Sequence, residues 1–287
     1  MLLSTQTEGL QRLFGMEEAV RIICETGFDA IDLSMFMGSD DKRFLEDGYK
    51  DLALQLKEIA AGYGVVFNQA HAPFASQKEG DEAFNAMQFD RIVRSMECAA
   101  LVGAESIIVH PIHTQSGETD WEWNLEFYNR LLPYAKQFGI KIALENIWDR
   151  NPITDRIKPL EVCGTAEGMA AFYDELDPEW FVCCLDVGHC AIVGSDPPHY
   201  VRTLGHDRLK ALHVHDNDLY GDQHQLPFLG KNDWESFTKI LAEINYDGVF
   251  TFEADDTYRK FPKELAPSLC RFMHAVGRYL IGQIENA

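Results

Sequence analysis

The chain has no run of about 18 consecutive apolar residues, so no segment is predicted to span a membrane. Its first residues lack a basic stretch followed by a long apolar one. Met1–Gln6 therefore reads as the start of a strand and not as a leader, and a cytoplasmic location is expected. None of the seven cysteines forms a Cys-x-x-Cys pair, and an odd count without a framework points to reduced thiols, read as small buried core residues. Cations are scarce: 25 Lys and Arg face 46 Asp and Glu, giving a formal charge of −21. A field of that sign repels phosphate backbones, so a nucleic-acid partner is not expected. No glycine-rich cradle opens a helix, so phosphate recognition is not evident. No Ser/Gly-rich linker or low-complexity tract divides the chain, and residues 1–287 read as one domain.

Apolar residues are not scarce, at 46%, an ordinary globular fraction. They fall in short runs that alternate with helix-period segments. The runs predict strands at Leu2–Gln6, Phe28–Leu33, Val65–His71, Ser106–His110, Ile140–Glu145, Phe181–Asp186, Leu209–His215 and Val249–Glu253. Helices are predicted near 16–26, 48–62, 83–102, 121–138, 165–176, 197–205, 233–245 and 263–282. Gly27, Gly64, Gly103, Gly139 and Gly248 lie between a helix and the next strand, where a C-cap glycine is expected. Strand followed by helix, eight times over, predicts a single (βα)8 TIM barrel. Its active site would lie at the C-terminal ends of the strands.

Side chains alternate along a strand, so residues two apart share a face. In Leu209–His215, Leu212 and Val214 suit the outer face, which turns Ala211, His213 and His215 inward. Phe250 and Phe252 facing out turn Glu253 in; Ile142 and Leu144 do the same for Glu145, and Leu185 for Asp186. The same parity places His71 and His110 inside. Six strands thus end in an inward residue able to hold a metal: His71, His110, Glu145, Asp186, His213 and Glu253. Anionic groups crowded in one mouth repel unless a cation sits among them. Glu145, Asp186, His213 and Glu253 form the best ligand set, and three carboxylates with one imidazole suit Mn, Mg, Co or Zn without choosing among them. Additional metal or substrate candidates are His71, His110, His189, Asp222 and His224, the last also readable as a solvated loop residue. His199, His206 and His274 fall on predicted helices and read as structural; His113 lies in a loop near His110.

The motifs Asn68-Gln69-Ala70-His71-Ala72-Pro73, Val109-His110-Pro111, Ala143-Leu144-Glu145-Asn146, Cys184-Leu185-Asp186-Val187-Gly188-His189, Leu212-His213-Val214-His215-Asp216 and Thr251-Phe252-Glu253 run in order along nearly the whole chain. Together they resemble the xylose-isomerase-like TIM-barrel superfamily, which holds ketose 3-epimerases, inosose isomerases and dehydratases, and AP endonucleases. The resemblance implies a metal on Glu145, Asp186, His213 and Glu253, with Glu145 and Glu253 also acting as the acid/base pair and His189 near the substrate oxygens. It implies a sugar or polyol substrate, proton abstraction beside a carbonyl through a metal-stabilised enediolate, and a homo-oligomer, dimer or tetramer.

Two departures mark the substrate pocket. Leu219 stands where ketose 3-epimerases carry an arginine, and the segment after Glu145 reads Asn146-Ile147-Trp148-Asp149-Arg150-Asn151, without their second glutamate. Trp148, by stacking on a sugar face, and Arg150 are candidate substrate contacts; a packed loop is the other reading of each. The nine metal ligands of the AP endonucleases also map here, as His71, His110, Glu145, Asp186, His189, His213, Asp222, His224 and Glu253, which keeps a phosphodiesterase with a multinuclear zinc site as the alternative. A dehydratase of a cyclic polyol or hydroxy acid is a second one. Specificity is expected in loops Ile112–Asp120, Asn146–Thr165 and Asp216–Asn232.

Overall fold

Eight of the apolar runs pair side by side, all parallel, and each residue that faces a helix on one strand is followed by one that faces the barrel axis. The computed structural model describes residues 1–36, 42–45, 47–114, 120–151 and 154–287. Its strands are β1 (Leu3–Gln6), β2 (Ala30–Ser34), β3 (Val66–His71), β4 (Ser106–Ile108), β5 (Lys141–Glu145), β6 (Trp148–Arg150), β7 (Ile157–Pro159), β8 (Phe181–Asp186), β9 (Leu209–His213) and β10 (Phe250–Phe252). The main sheet runs β10-β1-β2-β3-β4-β5-β8-β9, while β6 and β7 form a separate antiparallel hairpin. A parallel bridge between Val214, just past β9, and Phe252 of β10 joins the two ends of the sheet, and Val214 N–H donates to Thr251 O at 2.9 Å. The barrel is thereby closed and leaves no open edge at that seam.

Around it pack α1 (Glu8–Phe14), α2 (Met16–Thr26), α3 (Tyr49–Gly62), α4 (Glu82–Val102), α5 (Asp120–Phe138), α6 (Ala166–Tyr173), α7 (Val187–Ile192), α8 (Pro197–Arg208), α9 (Trp234–Glu243), α10 (Asp256–Arg259) and α11 (Ala266–Glu285). The alternation read from the sequence sorts the core into two populations. Ile142, Leu144, Cys183, Leu185, Leu212, Val214, Phe250 and Phe252 join the large cluster between sheet and helices. Ile108, Ala143, Val182, Cys184 and Ala211 form a second small cluster on the barrel axis. Each large side chain so buried contributes about 1.5–3 kcal/mol. All seven cysteines are buried and unpaired, and burial pushes the Cys24 and Cys98 thiols up to about 12.

Several elements differ from expectation. Strands β4, β9 and β10 stop short, so His110, His215 and Glu253 lie just past their ladders, on the rim. Helix α1 was not anticipated, because Gly15, at φ 84°, splits it from α2 and leaves only seven residues, too few for a periodic signal. Helices α7 and α10 and the β6–β7 hairpin are short insertions of the same kind. Gly27 and Gly103 do cap their helices in the left-handed region, at φ 101° and 95°. Gly248 does not: Asn245, at φ 54°, makes that turn, and Gly248 is needed because a Cβ there would meet the Tyr246 hydroxyl at 2.3 Å. The expected specificity loop Ile112–Asp120 lies partly outside the described residues, as do residues 152 and 153 of Asn146–Thr165. No helix among the described residues is long and apolar enough to cross a membrane.

Candidate metal centre

Glu145 ends β5, Asp186 ends β8, His213 ends β9 and Glu253 follows β10, and all four are buried. One ligand-capable atom from each lies within 4.8 Å of the others. His213 Nδ1 is 2.9 Å from Glu145 Oε1 and 3.0 Å from Glu253 Oε2. One ring nitrogen cannot satisfy both carboxylates, and Glu253 Oε2 has no hydrogen-bond partner. Gln6 Nε2 donates to the other oxygen, Oε1, at 2.9 Å, which fixes the Glu253 carboxylate and leaves Oε2 aimed at the cluster.

The second nitrogen of His213 faces a buried carboxylate, close enough for an ion pair though not in hydrogen-bond geometry. Nε2 lies 3.3 Å from Asp32 Oδ2, and Asp32 is fully buried on β2, where Gln69 Nε2 donates to the same oxygen at 3.0 Å. A negative charge behind a histidine favours the proton on that side, leaving Nδ1 for a cation. Without the cation the cluster holds protons instead. Burial works against a charged His213, yet the carboxylates of Glu253 and Glu145 keep it well above the usual imidazole range. Burial likewise opposes a charged Glu145, but His213 and His110 hold it well below the usual carboxylate range. Cation binding at such a site displaces protons.

Two further groups adjoin this centre. His110 Nε2 is 2.9 Å from Glu145 Oε2 and 3.0 Å from His71 Nε2, so the three side chains share one corner. On the other side, His189, His215, Asp222 and His224 offer four atoms within 4.8 Å of one another. Asp222 Oδ2 is 3.2 Å from His189 Nε2 and 3.2 Å from His224 Nε2, while Asp222 Oδ1 has no hydrogen-bond partner. Against the pull of burial, Asp186 and Asp222 raise His189 to about 10. The rings of His215 and His224 stack at 4.1 Å, and His215 Nε2 reaches Asp186 Oδ1 at 3.0 Å. The buried His/Glu/Asp cluster has the chemistry of a divalent metal site, since its oxygens outnumber its donors.

Sequence reasoning singled out neither Asp32, Gln6 nor His215 as a site residue. Asp32 had a signal, an acid with inward parity inside an apolar strand, and His215 had the parity of His213. Gln6 shared that inward parity, with Leu3 facing the helices, but a neutral amide at a strand end carries no ligand signal of its own. Of the remaining histidines, His199 pairs with Glu167 at 2.7 Å, His206 meets Asn245 O at 2.8 Å, His274 packs edge-on against Phe28, and His113 is exposed. None of these joins the cluster.

Above the cluster opens a cavity of about 370 Å3. His71, His110, Glu145, His189, Asp222, His224 and Glu253 line its floor, and Phe36, Phe74 and Trp148 line a wall. Phe74 stacks on His110 at 4.7 Å, and the Trp148 Nε1–H donates to Asp222 Oδ2 at 3.2 Å. Arg150 is not among the lining residues; it sits 5.6 Å from the Trp148 ring and donates to Asp155 O at 3.3 Å. The β6–β7 hairpin thus brings Trp148 to the mouth and leaves Arg150 behind it. Leu219, at φ 71°, is exposed and does not line the cavity.

Residues 20–275 match the model of the xylose isomerase-like TIM barrel family, and the chain belongs to that family. Fructoselysine 3-epimerase of Shigella flexneri is 24% identical over 90% of this chain and 91% of its own. Among solved structures, a D-psicose 3-epimerase in the presence of D-fructose superposes with a TM-score of 0.73 at 17% identity, covering 98% of this chain and 100% of that one. The IOLI protein with a binding zinc atom superposes with a TM-score of 0.76 at 16% identity, covering 100% and 99%. The molecule is a sugar epimerase- and isomerase-like barrel with a metal-site-like cluster at its mouth.

Proposed function

We propose that the protein is a divalent-metal-dependent sugar or polyol isomerase or epimerase that works by moving a proton beside a carbonyl. One observation carries the reading: two buried carboxylates, Glu145 and Glu253, converge on a single point at His213 Nδ1, from two strands on different parts of the barrel. Glu145, Asp186, His213 and Glu253 would hold the cation, which when bound supplies Lewis acidity toward a carbonyl oxygen. Zinc is one candidate, since the similar IOLI protein carries it.

The chain's own residues do the rest. One of Glu145 and Glu253 takes the proton from the carbon beside the carbonyl, and the same or the other returns one. Return to the opposite face of the same carbon epimerises; return to the neighbouring carbon isomerises. Asp32 sets a negative charge beside His213 Nε2, which favours the proton there and leaves Nδ1 toward the cluster, and Gln6 keeps Glu253 Oε2 free to receive a proton. Trp148 and Phe74 offer apolar faces to a sugar ring, and the buried floor excludes water. The kinship with fructoselysine 3-epimerase favours epimerisation of a ketose. The exposed Phe228, Leu229, Phe272 and Tyr279, with Phe228 against Tyr279 at 6.0 Å, support the expected homo-oligomer, which sedimentation over a range of concentrations tests.

The experiment is solvent exchange. The protein with Mn2+ or Zn2+ and a panel of ketoses and inososes in D2O should place deuterium beside the carbonyl of one of them. Loss of water from an inosose instead would mark a dehydratase; no exchange and no turnover across the panel would overturn the reading. The His189, His215, Asp222 and His224 group favours a second reading, a multinuclear phosphodiesterase of the AP endonuclease kind. Against it, six carboxylates and two guanidiniums line the cavity, a poor surface for a polyanion. Cleavage of an abasic-site duplex at low salt would establish it.

A further inference from the structure

The cavity has a second polar wall that takes no part in the metal cluster. It is built by α1 and by the segment after β10: Glu8, Arg12, Asp255, Asp256 and Arg259. The two pieces are docked rigidly. Gly9 N–H donates to Asp255 Oδ1 at 2.9 Å, and a Cβ on Gly9 would meet the Tyr258 ring at 2.6 Å. Both cations of the wall are already engaged. Arg12 Nε donates to Glu8 Oε1, and Arg259 Nη1 pairs with Asp256 Oδ1 at 2.9 Å. What remains is acceptor capacity. Glu8 is only 2% exposed, and its second oxygen, Oε2, has no hydrogen-bond partner. A buried carboxylate oxygen left without a donor is costly, and the Arg12–Glu8 pair leaves that cost uncompensated at a residue that lines the cavity. Burial pushes the Glu8 carboxyl up even against the charge of Arg12, as expected of a half-satisfied group.

We propose that Glu8, oriented by Arg12, is a specificity-determining residue that accepts a hydrogen bond from the end of the substrate remote from the metal, and that this end carries hydroxyl or ammonium groups and no phosphate or carboxylate. The wall supplies three carboxylates and only two guanidiniums, each already paired to a carboxylate, so an anion entering there meets an excess of negative charge. The assignment rests on the sugar-isomerase reading above and adds the substrate class to it.

The test is calorimetric titration of the Mn2+-loaded protein with D-fructose, 6-amino-6-deoxy-D-fructose and D-fructose 6-phosphate, which differ at the end remote from the carbonyl. Wild type should bind the uncharged or amino ketose at least about tenfold more tightly than the phosphate. Glu8→Gln should weaken that binding about tenfold; a loss confined to the amino sugar identifies ammonium as the recognised group, and a loss shared by D-fructose identifies hydroxyl. Its Tm should stay within about 5 °C of wild type, because the amide keeps one oxygen to accept from Arg12 Nε; a larger fall would mean that Glu8 serves as a structural partner of Arg12 and would overturn the assignment. Arg12→Gln provides the opposite control. If wild type prefers a phosphate and Arg12→Gln loses that preference, Arg12 and not Glu8 reads the substrate. Ketose binding indifferent to Glu8 overturns the Glu8 assignment alone, whereas no binding and no deuterium exchange with any ketose in wild type overturns the isomerase reading beneath it.

Discussion

At the scale of single residues, the site depends on pairs in which one side chain holds another. Asp32 touches no substrate position, yet it sits 3.3 Å behind His213. Asp32→Asn should weaken Mn2+ or Zn2+ binding by about 10- to 100-fold, measured by competition with a chromogenic chelator, while the circular dichroism spectrum stays unchanged. Glu145→Gln and Glu253→Gln should each abolish deuterium incorporation; wild-type incorporation in both would remove them from the acid/base role. Much of this was legible in the sequence because strand parity holds toward the C-terminal ends of the strands, beyond the register shifts in the β2–β3 and β8–β9 ladders. His71, His110, Glu145, Asp186, His213 and Glu253 all face inward, as the alternation requires. What parity cannot supply is reach. That His213 Nδ1 meets Glu145 and Glu253 while Nε2 meets Asp32 depends on four strands of the closed barrel and on no spacing along the chain.

At the scale of elements, the long helices were legible and the short ones were not. A helix of 21 residues such as α4 repeats its apolar face several times; α7, with six, does not. Yet α7 shapes the site. Asp186 caps it by accepting from His189 N–H at 2.6 Å, which sets both residues in one rigid turn. Gly188 within it leaves room for His215, since a Cβ there would lie 1.9 Å from His215 Cε1. Gly188→Ala should therefore displace His215 from Asp186 and destabilise the fold by about 1–3 kcal/mol, read as a lower urea midpoint with an unchanged slope. A second element-scale prediction concerns α2 and the 3-10 turn at Lys42–Leu45. Arg43 grips Glu17 through two bonds of 2.6 and 2.8 Å, and that hydrogen bonding lowers the Glu17 carboxyl from 4.5 to about 2. A depressed carboxyl stabilises the fold above pH 4.5 and loses that contribution as pH falls through about 2. Arg43→Ala should flatten the acid limb of the stability curve in that window, by less than about 1 kcal/mol because the pair is largely solvated.

At the scale of the whole molecule, composition foretold class and charge but not the distribution of charge. The excess of acid, −21 overall, extends into the mouth, where the few cations present are already paired to carboxylates. Purified protein at low salt should leave an abasic-site duplex intact and pass through a DNA column unretained; retention released by salt would reopen the phosphodiesterase reading. The loops that choose the substrate were the least legible part. Their sequence named Trp148 and Arg150 as equals, and only the β6–β7 hairpin separates them, one at the mouth and one behind it.

The seven buried, unpaired thiols turn the barrel into a clock for its own opening. A disulfide-exchange reagent such as DTNB can reach them only when the helices part from the strands or the axis is exposed. Yellow colour should therefore accrue no faster than the native state unfolds, and it should slow when a bound cation staples the rim.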